Sequence, residues 1–160
     1  EAALQKAIAA DILEGLKPGV LALIGPGTTT RELKRALGFE GTLLGVDAVK
    51  DGKPVAEDCS ERKLLELIAL EPGGNVRIIV TPIGGQGFLF GRGNQQFSPE
   101  VLKRVGKENI LVAAVPGKLA ALGGGPLRVD TGDPRLDREL SGYTRVITGY
   151  REAVMVRVAA

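Results

Sequence analysis

Three short apolar runs, each followed within two residues by proline, constrain the fold most. Val20 to Ile24 precedes Gly25-Pro26, Val76 to Val80 precedes Thr81-Pro82, and Ile110 to Val115 precedes Pro116-Gly117. Near-continuous runs of this length are the pattern of strands buried on both faces. Between them residues recur at helical spacing. Leu4, Ile8, Ile12 and Leu16 predict a helix over 2–16 that Pro18-Gly19 ends. Leu33, Ala36 and Leu37 are the buried face of a second helix, closed by Gly38, and Ser60 caps a third carrying Leu64, Leu65, Leu67 and Ile68. Ser98-Pro99-Glu100 opens a fourth with proline at its first position. Pro116 to Leu122 and Asp133 to Leu140 complete the set, the last capped by Asp133 or Thr131. Further strands are expected at Thr42 to Val46 with Ala48-Val49, at Leu127 to Val129, and at Tyr143 to Thr148 and Ala153 to Val158, which turn at Gly149. Asp51-Gly52 reads as a hairpin turn. Alternating strands and helices argue for an α/β fold, a mainly parallel sheet flanked by helices.

At 160 residues the chain is the length of one domain. Because it starts at Glu1 and its only methionine is Met155, we expect residues 1–160 to be a single α/β domain from the C-terminal part of a longer protein. Cys59 is the only cysteine and there is no histidine, which leaves no disulfide framework within the chain, no cysteine–histidine zinc site and no Ser-His triad. A reducing, cytoplasmic setting is the expectation. No apolar stretch approaches the ~20 residues needed to span a bilayer, and the opening residues lack the pattern of a signal peptide. The net charge of +2 is spread over 21 basic and 19 acidic residues, and aromatics make up only 4%. That composition is a poor stacking platform for single-stranded nucleic acid, so neither nucleic acid nor membrane is expected as a partner.

The segment from Thr81 to Gln96 stands apart. Five of the ten residues from Gly84 to Gly93 are glycine, and glycine within an ordered element costs about 0.5–1 kcal/mol relative to alanine. Such a density calls for left-handed backbone, close approach of chains, or a ligand. Thr81, Gly84, Gly85, Gln86, Gly91, Arg92, Gly93, Asn94, Gln95 and Gln96 offer amides, neutral donors and one guanidinium that can grip a phosphate in bidentate fashion. A glycine-rich structural crossover is the other reading.

A second candidate is Gly25-Pro26-Gly27-Thr28-Thr29-Thr30, between a buried strand and a helix. Ligands of open α/β sheets sit at the carboxyl ends of the strands, and helix N-terminal amides attract anions. Gly25 and Gly27 would admit the ligand, and Thr28, Thr29 and Thr30 would add hydroxyls. Capping the helix would need only one of the three threonines. Arg31, Lys34 and Arg35 share one helix face, which could aid an anion but is expected to be solvated. Asp47, placed at the end of a strand, could hold a ribose hydroxyl, a metal or a proton, or could stabilise a turn. Lys118 stands at a helix start, where it could contact an anion or lie on the surface.

Leu23-Ile24-Gly25-Pro26-Gly27-Thr28-Thr29, Leu43-Leu44-Gly45-Val46-Asp47-Ala48-Val49, Thr81-Pro82-Ile83-Gly84-Gly85-Gln86-Gly87-Phe88, Phe90-Gly91-Arg92-Gly93-Asn94-Gln95-Gln96, Val129-Asp130-Thr131-Gly132-Asp133 and Val146-Ile147-Thr148-Gly149-Tyr150-Arg151-Glu152 occur in this order. Together they resemble the C-terminal part of the predicted ATP- or polyphosphate-dependent NAD kinases, including acetoin-catabolism relatives. That family's Gly-Gly-Asp-Gly-Thr kinase motif belongs to an N-terminal domain and is absent from these residues. The resemblance implies phosphorylation of NAD to NADP by the parent protein, with NAD, ATP or polyphosphate and magnesium as its ligands, and little activity from this chain alone.

The opening helix, strand and Gly25-Pro26-Gly27-Thr28-Thr29 loop are also similar to ribose-5-phosphate isomerase and its CoA-transferase relatives, as is Leu89-Phe90-Gly91-Arg92-Gly93 before Ile110 to Lys118. That likeness implies a three-layer domain whose threonine loop holds a phosphate. It does not bring the isomerase's chemistry, because Phe90 stands where that family keeps its catalytic lysine. The expected partners are a phosphorylated small molecule or nucleotide, the N-terminal kinase domain of the same protein and further copies of the chain. Two alternatives are an autonomous sugar-phosphate enzyme or sensor using Asp47 or Glu100, and a non-catalytic structural or dimerisation domain.

Overall fold

The computed structural model describes residues 1–160. Helix α1 (Ala2–Gly15) leads into β1 (Leu21–Ile24) and α2 (Thr28–Ala36), and β2 (Asp47–Lys50) and β3 (Lys53–Ala56) follow as a hairpin. Its turn residues Asp51 and Gly52 both have positive φ, 52° and 74°, the geometry that matches the twist of paired strands. Then come α3 (Glu61–Ala69), β4 (Val76–Val80), β5 (Phe88–Phe90), α4 (Pro99–Val105), β6 (Ile110–Ala113), α5 (Pro116–Ala120), β7 (Leu127–Val129), α6 (Pro134–Leu140), β8 (Gly142–Gly149) and β9 (Glu152–Ala159). The expected caps are in place. Ser60 accepts from the Lys63 amide, Ser98 from that of Val101, and Asp133 from those of Arg135 and Leu136.

One nine-stranded sheet runs in the order β3-β2-β1-β4-β6-β8-β9-β7-β5. Five of its strand pairings are parallel and three antiparallel. The central strands β1, β4, β6 and β8 all run the same way, and helices cover both faces, so the mainly parallel three-layer α/β expectation holds. Alternation along β1 sorts the core. Leu21 and Leu23 join the cluster under α3, α4 and α6, with Ile78, Val80, Leu64, Val101 and Leu136. Ala22 and Ile24 face the opposite way, onto Ile8, Ile12 and Leu33 of α1 and α2.

Some sequence expectations need correction. Thr42 to Val46 is not a strand, and Asp47 opens β2 instead of ending a strand. Leu43 and Leu44 there are exposed, so the apolar pattern of that stretch reflects a surface loop. The closing strands turn at Tyr150-Arg151, one residue past Gly149, with Arg151 at φ 55°. The glycine-rich segment contains a strand, β5, that pairs with β7 far from β4 in the sheet.

Candidate functional site

Parallel pairing sets the carboxyl ends of β1, β4 and β6 side by side, and the loops leaving them open onto one groove of about 680 Å³. Pro26, Gly27, Thr28 and Thr29 come from the turn after β1, and Thr81, Pro82, Ile83 and Gly84 from the exit of β4. Val115, Gly117, Lys118 and Ala121 come from α5 and its approach, and Glu1, Gln5, Leu44 and Gly93 complete the walls, Glu1 bringing the one carboxylate. This is the crevice in which open α/β sheets hold ligands.

Gly27 is the N-cap of α2, at φ 126° and ψ 166°. A Cβ at this position would fall 2.6 Å from Thr81 Cγ2, so both the backbone and the space require glycine. The Gly27 amide donates to the Leu43 carbonyl at 2.9 Å, and its carbonyl accepts the first helical bond from Arg31. Thr30 Oγ1 donates to the same carbonyl at 3.2 Å. The amides of Thr28, Thr29 and Thr30 have no backbone partner and no side-chain cap, and the first turn holds no acid. These amides carry the positive end of the helix dipole. Gln5 Nε2 donates to Thr28 Oγ1 at 3.2 Å and Thr29 Oγ1 at 3.4 Å. Lys118 is the only basic side chain on the groove, and its Nζ donates to the Gly84 carbonyl at 3.0 Å.

Seven of the sequence-predicted residues therefore line one groove: Gly27, Thr28, Thr29, Thr81, Gly84, Gly93 and Lys118. The others lie elsewhere. Gly25 is buried, and a Cβ there would meet the Phe97 ring at 3.2 Å. Gly85 and Gln86 border a separate hollow with Phe88 and Arg128. The Arg92 guanidinium stacks 4.5 Å from the Phe88 ring centroid and lies 3.5 Å from Asp130. Gly91 packs on the Asp130 carbonyl. Asn94 is fully buried, donating to the Leu89 carbonyl at 2.8 Å, and Gln95 is exposed outside the groove. Gln5, Leu44, Ile83 and Val115 were not singled out. Gln5 sits among the helical repeats of α1, and only the packing of α1 against α2 brings it to the groove.

Asp47 lies beneath the loop that carries Leu43 and Leu44, with no exposure. Its carboxylate accepts from the Thr42 amide at 2.7 Å, the Thr42 hydroxyl at 3.0 Å and the Asp58 amide at 2.8 Å. Lys34 Nζ lies 2.8 Å from it and also donates to the Thr42 carbonyl at 2.7 Å. The expected solvated face is thus wrong for Lys34, which is 0% exposed and drawn inward by this partner. Burial pushes the Lys34 ammonium below the usual lysine range, outweighing the attraction of Asp47. Burial raises Asp47, but the bonds from Lys34, Thr42 and Asp58 outweigh it and hold the carboxyl below its ordinary value.

Hydroxyls, free amides and the Lys118 ammonium give the α2 end of the groove the donors an anion needs, with the Glu1 carboxylate also on the lining. No group of three or more His, Cys, Asp or Glu side chains stands close enough to hold a metal ion. No helix is long and apolar enough to cross a membrane. Neither the curated proteins nor the solved structures compared with the chain gave a match. A family model described as the ATP-NAD kinase C-terminal domain matches residues 18–158. The chain belongs to the ATP-NAD kinase C-terminal domain family.

Proposed function

We propose that this domain binds the phosphate groups of a nucleotide, NAD or ATP, in the groove between the Gly25–Thr30 and Thr81–Gly93 loops. The observation that carries this reading is the convergence of unpaired α2 amides, two threonine hydroxyls and the Lys118 ammonium on one groove. Amides and an ammonium stabilise phosphate charge without moving. Phosphoryl transfer to NAD then requires the Gly-Gly-Asp-Gly-Thr motif of an N-terminal kinase domain in the same protein, because no residue here activates the acceptor hydroxyl. Magnesium would arrive on the phosphates, since the groove has no carboxylate cluster to hold it. In this reading the parent protein is a cytoplasmic NAD kinase that assembles from several copies.

The isomerase-like alternative finds no support in the positions of its two candidate bases. Asp47 is sealed under its loop, and Glu100 lies on α4 paired with Arg104 at 3.0 Å, outside the groove. Calorimetric titration of the chain with NAD, ATP, polyphosphate and ribose 5-phosphate tests the proposal. Binding of nucleotide that weakens in Thr28→Val supports it. Absence of binding to every phosphate compound would sink it and favour a purely structural domain.

A further inference from the structure

Resting on the groove being a phosphate site, we propose that Gln5 is a positioning residue that aims the Thr28 and Thr29 hydroxyl protons at the ligand. Gln5 belongs to α1, ahead of the matched residues 18–158, so family membership assigns it no role. A hydroxyl has one proton to give and two lone pairs with which to accept. Gln5 Nε2 occupies a lone pair on each oxygen, at 3.2 Å for Thr28 and 3.4 Å for Thr29. Each hydroxyl proton must then point away from Gln5, and both threonines line the groove. Thr30 differs, because its hydroxyl donates back to Gly27 within the helix cap.

The consequence is selectivity by hydrogen-bond sense. Two hydroxyl protons and the α2 amides make the α2 end of the groove favour a ligand rich in acceptors, while the Glu1 carboxylate lies elsewhere on the same lining. Lys118, from a different helix, adds an ammonium with protons beyond the one it gives to Gly84. A phosphate ester meets this pattern at every oxygen, an alcohol meets it with a single uncharged oxygen, and an ammonium group, which has no acceptor, does not meet it. The position of Gln5 is set by packing that involves no ligand. Ile8, Ala9 and Ile12 bury one side of α1, the Arg151 amide donates to Asp11 at 2.9 Å, and the Tyr150 hydroxyl donates to Glu14 at 2.7 Å.

The test titrates the 160-residue chain with inorganic pyrophosphate near neutral pH, comparing wild type with Gln5→Met and Gln5→Glu, while urea midpoints check the fold. Gln5→Met keeps the length and loses the donor, so affinity should fall several-fold. Gln5→Glu replaces the donor by an acceptor that takes up the hydroxyl protons and repels the anion, and should weaken binding by about tenfold or more. A second titration uses sulfate, which keeps its charge across the range. Glu1 and Lys118 face the groove in both proteins, so the readout is the ratio of the two affinities: Gln5→Glu should regain affinity relative to wild type as the pH falls toward the ordinary glutamate value of about 4.3. A merely structural role for Gln5 would give no such profile. If both variants bind pyrophosphate like wild type, or the affinity of Gln5→Glu relative to wild type does not change with pH, the inference is overturned with the groove intact. If wild type binds neither anion, the groove reading itself has failed, and this inference fails with it.

Discussion

Lys34 Nζ lies 2.8 Å from Asp47 Oδ2, and neither side chain is exposed to solvent. The pair joins α2 to the start of β2 and anchors the intervening loop, whose Leu43 carbonyl accepts from Gly27 at the groove. Its geometry leaves little room: at Gly41, φ 66°, a Cβ would stand 2.6 Å from Lys34 Cδ and 2.8 Å from Asp47 Oδ2. Removing one partner strands the other charge in the interior, so Lys34→Met and Asp47→Asn should each cost about 3–5 kcal/mol. In urea denaturation the double variant Lys34→Met/Asp47→Asn should be less destabilised than the sum of the single changes. Additive losses would mean that the two groups do not act as a pair.

The same pair predicts acid sensitivity. The folded carboxyl of Asp47 lies below its ordinary value, because its bonds from Lys34, Thr42 and Asp58 outweigh burial, which alone would raise it. A depressed folded value contributes stability that is complete above the unfolded carboxyl range and is lost as the pH falls through the folded value. Urea midpoints of wild type should therefore decline below about pH 4, where unfolded aspartate titrates. Asp47→Asn, less stable throughout, should show a shallower decline. Parallel acid limbs for the two proteins would remove Asp47 from the account.

Cys59 should be inert while the chain is folded. It is 3% exposed, and its thiol is pushed up first by burial and then by the nearby Asp47 charge, with Sγ donating to the Ala56 carbonyl at 3.7 Å. Thiolate is the reactive form, so labelling by an aromatic disulfide reagent near neutral pH should proceed only through unfolding. The labelling rate should therefore rise in Asp47→Asn by about tenfold for each 1.4 kcal/mol of lost stability. Fast labelling of wild type in native buffer would contradict the burial of this thiol.

What the sequence revealed and what it hid divide along physical lines. Val20–Ile24, the Ser60 and Ser98 caps and the Asp51-Gly52 turn were readable, since each depends on neighbours within a few residues. The groove-lining threonines and Thr81 were readable because they follow parallel strands whose carboxyl ends share an edge. The fate of Arg92 was not. Its position after Gly91 suggested a phosphate clamp, but the bends at Gly91 and Gly93 turn it onto Phe88 and Asp130. Lys34 was misread because its helix face looked polar, and only the fold brings Asp47, from another element, against it. Asn94 looked like a ligand contact and instead ties the Leu89 carbonyl to the loop beneath β5.

Gly27 should be intolerant of any side chain. At φ 126° with Thr81 Cγ2 2.6 Å from a built Cβ, Gly27→Ala must shift the turn that presents Thr28 and Thr29. The cost of holding such a conformation is about 1–3 kcal/mol. Pyrophosphate affinity should fall further than stability alone explains, because the unpaired amides of α2 would move. Calorimetry and denaturation on the same preparation separate the two effects, and unchanged affinity would place the anion away from this turn.

Lys118 tests the electrostatic side of the groove. It is the only basic side chain on the lining, it is partly exposed, and its Nζ bonds the carbonyl of Gly84, an exposed residue. Losing that single neutral bond at the surface should leave the urea midpoint nearly unchanged in Lys118→Met. Losing the charge should weaken pyrophosphate binding by about tenfold at low ionic strength. Salt screens charges that face water, so the gap between Lys118→Met and wild type should narrow as ionic strength rises. Lys118→Arg should keep most of the affinity, since it retains the charge. If Lys118→Met binds as tightly as wild type at low salt, the ammonium contributes only its bond to Gly84, and the anion is held by α2 alone.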